Sequence, residues 1–156
     1  MKKYILIAGV NGAGKSTLYQ TLNSLKHMNR VNTDEILREF GDWRNSSDII
    51  KAGKIAVNKI KENFEKEISF NQETTLCGNS ILKNIDIAKS QGYEVEVHYV
   101  GVETVEKAKQ RIAYRVEHGG HGIPDTEAFN RFAIYKKGEL YTITNEVPDW
   151  YKRYID

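Results

Sequence analysis

The chain has 156 residues, 40% of them apolar and 28% charged, and a formal net charge of +2. That composition fits one globular domain. The net charge argues neither for nor against nucleic acid. Lys and Glu, however, are interspersed along stretches such as Lys59 to Glu67 rather than clustered on a basic face, and no nucleic-acid partner is expected. A single cysteine, Cys77, excludes an internal disulfide and any multi-cysteine zinc site; its side chain is expected as a buried thiol. No apolar run approaches the roughly 18 residues of a membrane span. Met1-Lys2-Lys3 and the apolar run after them imitate a short secretory signal, but glycines and Asn11 end the run without a cleavage pattern. A cytoplasmic location and no membrane partner are expected.

In chain order, Tyr4 to Ala8 lies within a buried strand predicted over 3–8. It runs into Gly9-Val10-Asn11-Gly12-Ala13-Gly14-Lys15-Ser16, which matches G-x-x-x-x-G-K-[ST]. Glycines in this pattern let consecutive backbone N–H groups converge on phosphate oxygens, and the following helix presents its positive end. Lys15 is then placed to reach the β and γ phosphates, and the Ser16 hydroxyl to hold Mg²⁺. Leu18, Leu22 and Leu25 recur at helical spacing, which predicts a helix over 15–26.

A short second strand fits Arg30 to Asn32, followed by a helix from Thr33 to Phe40 and a break over 41–45. A long helix starts at Ser46-Ser47-Asp48, with Ile49, Ile55, Ala56, Ile60 and Phe64 as its apolar stripe. A third strand is predicted over 69–75 and a helix over 80–90 ended by Gly92. The alternating segment Tyr93 to Val100 is the fourth strand, and a further helix spans 104–117. After the glycine-rich stretch 119–124, a last helix is expected to begin near Asp125, and 150–155 reads as a fifth strand or a frayed helix. The alternation predicts an α/β fold of three layers, a P-loop NTPase or kinase-type domain over 1–156 with about five parallel strands.

Ligands of open parallel sheets sit beyond the carboxyl ends of the strands, and three groups of residues fall there. Asp34 follows strand two and can either accept a proton from an attacking hydroxyl or cap its helix, as Thr33 can. Glu73, Thr74 and Thr75 end strand three, where Glu73 can meet a substrate hydroxyl or a magnesium-bound water, or simply face solvent. Arg111 and Arg115 share a helical face next to Gly119, Gly120 and His121, with Arg131 beyond. Arginines there can neutralise a transferring phosphoryl group from a lid spanning roughly 111–131, or pair with surface acids such as Glu117. His27, His98, His118 and His121 show no zinc-ligand spacing.

Together, Gly9 to Thr17, Asp34, Glu73-Thr74-Thr75-Leu76 and Arg115-x-x-x-Gly119-Gly120-His121-x-Ile123-Pro124 resemble the zeta toxin family of P-loop kinases, particularly its compact branch. The resemblance covers about the first 135 residues. It implies transfer of the γ-phosphoryl group of ATP or GTP, with Mg²⁺, to a hydroxyl of UDP-N-acetylglucosamine, and restraint by a small antitoxin protein. It further implies that Lys15, Asp34 and Arg115 are catalytic. Gly9, Asn11, Gly12, Ala13, Gly14, Lys15, Ser16 and Thr17 would bind nucleotide, and Glu73, Thr74 and Thr75 substrate. Arg111, His121 and Arg131 would belong to the lid; His121 falls where the family carries a second lid arginine. Another small-molecule or polynucleotide kinase, or a nucleotide-binding module without transferase activity, would use the same parts.

Overall fold

The structure, a computed structural model, describes residues 1–122 and two strands over 132–136 and 139–144. Alternate side chains of the first strand, β1 (Lys3–Ala8), leave on opposite faces and seed two separate apolar layers. Tyr4 and Leu6 enter the larger layer with Val31, Ile36, Leu37, Ala52, Phe64 and Phe70. Ile5 and Ile7 face the other way, against Leu25 and the partly buried Leu18, Tyr19, Leu22 and Met28. A strand buried on both faces needs helices on both sides, and the chain supplies them.

Three further strands, β2 (Asn29–Val31), β3 (Phe70–Thr74) and β4 (Glu94–Tyr99), join β1 in one parallel sheet ordered β2-β3-β1-β4. The register sets Ile7 between Glu73 and His98, and Ala8 between Thr74 and Tyr99. The carboxyl ends of β1 and β3 therefore lie side by side, and their loops open onto one crevice. The central sheet has four strands among the described residues, one fewer than expected. Residues 150–155, where a fifth strand was considered, lie outside those described.

Helices α1 (Lys15–Thr21), α2 (Thr33–Phe40), α3 (Ser46–Glu65), α4 (Asn79–Ser90) and α5 (Val105–Glu117) connect the strands. The helix expected over 15–26 stops early, at Thr21. Leu22 leaves helical geometry at φ −92°, ψ 89°, and a 3-10 turn over Asn23–Leu25 follows. The fully buried amide of Asn71 explains this, since its Nδ2 donates to the carbonyls of Leu25 (3.3 Å) and Asn29 (3.4 Å) and draws the segment onto the sheet. Asn23 and Ser24 are also weak helix formers. At the far end, β5 (Phe132–Lys136) and β6 (Glu139–Thr144) pair antiparallel. A helix from Asp125 therefore does not extend past 131, because alternating, aromatic-rich 132–136 suits a strand; residues 123–131 lie outside the description. Cys77 is exposed rather than buried, because Leu76 adopts φ 59° and turns the chain outward after β3. No helix among the described residues is long and apolar enough to cross a membrane.

Candidate active site

The loop between β1 and α1 is shaped by backbone conformations that a side chain would forbid. Gly12 has φ 78°, and a Cβ there would lie 2.6 Å from the Ala108 carbonyl oxygen of α5. Gly9, at φ 144°, would place a Cβ 2.3 Å from the Val100 carbonyl oxygen while its N–H bonds the Thr74 carbonyl (3.2 Å). Glycine at both positions lets the loop press against β4 and α5. No acidic residue stands in the first turn of α1, so the helix itself leaves its positive end uncompensated.

This loop walls a cavity of about 580 Å³, lined by residues 11–18 together with Thr21, Asp34, Glu73, Arg111, Ile112 and Arg115. A second cavity of about 220 Å³ adjoins it and shares Asn11, Lys15, Asp34 and Glu73. Asn32, Thr33, Gln72, Thr74 and Thr75 complete that smaller space. The three groups predicted to converge on the sheet edge thus meet around one crevice. Gly9 underlies the loop rather than lining either cavity, and Arg131 lies outside the described residues.

Glu73 is the hub of the crevice. Its carboxylate takes hydrogen bonds from Arg30 Nη2 at 2.8 Å and Asn32 Nδ2 at 2.9 Å. The Ser16 hydroxyl donates to it at 3.3 Å, and Lys15 Nζ stands 4.0 Å away. Burial pushes the Glu73 carboxyl up, with the Lys15 and Arg30 charges opposing that rise. Burial also pushes Lys15 down, opposed by the carboxylates of Glu73 and Asp34. Lys15 meanwhile donates to the Val10 carbonyl at 3.1 Å, which aims its ammonium back over the loop.

Asp34 owes its freedom to its neighbour. The side chain of Asn32, not Thr33 or Asp34, caps α2, accepting from the backbone N–H groups of Asp34 (2.9 Å) and Glu35 (3.3 Å). The Asp34 carboxylate is left to face the cavity, where Oδ1 lies 3.4 Å from His121 Nε2. Burial pushes this carboxyl up, but the hydrogen bond and charge of His121, with Arg115 and Lys15, hold it below its usual value. Replacing Asn32 by Ala removes the cap and a donor to Glu73 together. The expected loss is about 1 kcal/mol from the cap, measurable by urea unfolding, and nucleotide affinity should fall with it.

The two arginines of α5 do different work. Arg111 donates to the carbonyls of Gly12 (3.4 Å) and Ala13 (3.2 Å) and so braces the loop from outside. Arg115 lines the large cavity, and its Nε is buried with no hydrogen-bond partner among the described residues. An arginine on the wall of a phosphate-sized cleft suits an anionic ligand. Thr74 Oγ1 is occupied locally, accepting from the Leu76 N–H at 3.0 Å.

The sequence reading missed Arg30 and Asn32. Asn32 carried a signal, being a capping-type residue at a strand end just before a helix. Arg30 carried none, because its role depends on stacking over Tyr19 at 3.5 Å and on ion pairs with Glu35 and Glu73.

Magnesium fits the donors present. The Ser16 hydroxyl and Glu73 carboxylate supply hard oxygen ligands beside the loop, and Mg²⁺ usually completes such a set with water and phosphate oxygens. No group of three or more His, Cys, Asp or Glu residues clusters like a metal centre among the described residues, so no all-protein cage is indicated.

A glycine-shaped loop between a parallel strand and a helix, with a lysine, a serine and two carboxylates around it, defines a P-loop nucleotide-binding domain of the kinase-like type. The chain belongs to the AAA_33 family, described as an AAA domain, which matches residues 5–133. An uncharacterized protein of Haemophilus influenzae is 34% identical over 123 residues, covering 79% of this chain and 87% of its own length. In structure, the chain is similar to a putative kinase from Chloroflexus aurantiacus, with a TM-score of 0.63 at 16% identity over 81% of this chain and 75% of that one. A protein of the PezAT chromosomal toxin–antitoxin system of Streptococcus pneumoniae gives a TM-score of 0.59 at 20% identity, covering 92% of this chain and 71% of that one. At these identities the two structures speak for the fold.

Proposed function

We propose that this chain is a Mg²⁺-dependent phosphotransferase that passes the γ-phosphoryl group of ATP or GTP to a hydroxyl of a small acceptor. The observation that carries the reading is the meeting of Lys15, Asp34 and Arg115 around one cavity. Backbone amides of residues 11–14 and the Lys15 ammonium hold the phosphates, and Thr17 lines the same cavity. Ser16, with Glu73 in reach, would hold magnesium, which would supply charge neutralisation on the phosphate oxygens. Asp34 accepts the proton of the acceptor hydroxyl as its oxygen bonds to the γ-phosphorus. The bond from that phosphorus to the β-γ bridging oxygen breaks, and the nucleoside diphosphate leaves. Arg115, on α5, neutralises the charge on the equatorial oxygens.

The smaller cavity, with Thr74 and Thr75 at its rim, holds the acceptor in this reading. UDP-N-acetylglucosamine is the first acceptor to test, since the motifs resemble those of zeta toxins. The same likeness suggests a cytoplasmic toxin restrained by a small antitoxin. The deciding experiment offers γ-labelled ATP or GTP with Mg²⁺ and a panel of sugars, nucleotide sugars, nucleosides and polynucleotide 5′ ends. Label in a UDP-sugar supports the full proposal, and label in another acceptor supports only the kinase. Slow hydrolysis with no labelled acceptor would reduce the chain to a nucleotide-binding module.

A further inference from the structure

The path of the chain after α5 is set by two glycines. His118 ends the helix, Gly119 turns at φ 78°, and the Gly120 N–H bonds the Arg115 carbonyl at 2.8 Å. A Cβ on Gly120 would lie 2.5 Å from Arg115 Cγ, so the chain runs directly over the arginine stem. This turn brings His121 back onto Asp34, and what receives it is an indole from a distant part of the sequence.

Trp43 sits in the corner between α2 and α3. That corner is tied by the Asp42 N–H to Asp48 Oδ2 (3.0 Å), the Arg44 N–H to Asp42 Oδ1 (2.9 Å) and the Asn45 cap on Ser47. Its outer side carries the Arg44 guanidinium, 4.4 Å from the ring centre. Another part of the indole meets the imidazole of His121 edge to face, with centroids 6.0 Å apart and planes at 71°. Gly122 lies flat on the same ring: a Cβ there would come within 2.5 Å of Cη2 and 2.6 Å of Cζ2. The His121 side chain is only 10% exposed. A residue without a side chain at 122 and a large ring at 43 are therefore one fitted contact.

We infer that Trp43 is a positioning residue for the candidate base: it seats the loop after α5 so that His121 holds Asp34 Oδ1, leaving Oδ2 to receive the acceptor's proton. The inference rests on the phosphotransferase reading for its consequence but not for its geometry. Orientation of a reacting carboxylate is worth a large factor, since misplacement by about 1 Å can cost roughly 10²-fold in rate. Arg115, on the same turn, is aligned by the same seating. The α2–α3 corner thus becomes part of the site although it lines neither of its cavities.

The test needs no acceptor for its first readout. Asp34, faced by His121, Arg115, Lys15 and the Glu73 carboxylate, is followed by carboxyl-carbon NMR, its signal assigned by loss in Asp34→Asn. Trp43→Ala and Gly122→Val should move its titration to higher pH, in the same direction as His121→Gln, while Trp43→Phe stays with the wild type. Gly122→Val leaves the core side of Trp43 intact, so it answers even if Trp43→Ala fails to fold. Where turnover is measurable, Gly122→Val should lower kcat about tenfold or more with the nucleotide KM within about twofold. An Asp34 titration moved by His121→Gln but unmoved by Gly122→Val overturns the inference. Absence of turnover in the wild type counts against the kinase reading, while the NMR still decides the seat.

Discussion

Asp34→Asn is expected to keep nucleotide affinity within a few-fold and to lose phosphoryl transfer by about 10²-fold or more. The amide has nearly the shape of the carboxylate, so the α2 cap on Asn32 and the cavity walls stay as they are. What disappears is the proton acceptor and the charge that aligns an attacking hydroxyl. Initial rates give kcat, and calorimetry with a non-hydrolysable triphosphate and Mg²⁺ gives affinity. Unchanged turnover would remove Asp34 from the mechanism. The pH profile supplies a second check. With its carboxyl held low by His121, Arg115 and Lys15, Asp34 stays ionised below the usual Asp value of about 3.9. Acid inactivation from this group should therefore begin at lower pH in the wild type than in His121→Gln.

Lys15→Ala should act differently, weakening nucleotide binding and turnover together. A charge-assisted hydrogen bond contributes about 1.5–3 kcal/mol, so affinity is expected to fall by about 10- to 100-fold. Turnover should fall further, because the lysine also meets charge that grows on the phosphates during transfer. Lys15 stands 4.0 Å from Glu73, and both side chains are largely shielded from solvent, so removing the ammonium leaves a carboxylate with one cation fewer. The variant must therefore be checked for folding by circular dichroism before its kinetics are read. Wild-type affinity in a folded Lys15→Ala protein would refute phosphate binding at this loop.

The strand-and-helix frame was legible because it is written locally. β1, β4 and the long helix α3 follow periodicities that no tertiary contact has to correct. The phosphate loop was legible because its glycines answer to backbone geometry, as the close approaches of Gly9 and Gly12 make plain. The early end of α1 was not, since it depends on Asn71 reaching across from β3. The partners of Glu73 were hidden for the same reason: Arg30 and Asn32 precede it by 43 and 41 positions. His121 could be singled out beside its two glycines, but nothing local to Trp43 marks it as the residue on which His121 rests.

Among the described residues, the two apolar layers fed by β1 are unequal. Leu25 is the buried residue that Ile5 and Ile7 meet on the α1 side, whereas Tyr4 and Leu6 join an aromatic cluster with Phe64, Phe70 and Tyr93. Regions with little buried apolar contact open locally at lower free energy than the rest. Amide hydrogens of 18–25 should thus exchange with deuterium faster than those of β1. A ligand gripped by the α1 amino terminus would slow that exchange without any change in the sheet, making the thin side of the molecule its most sensitive gauge of occupancy.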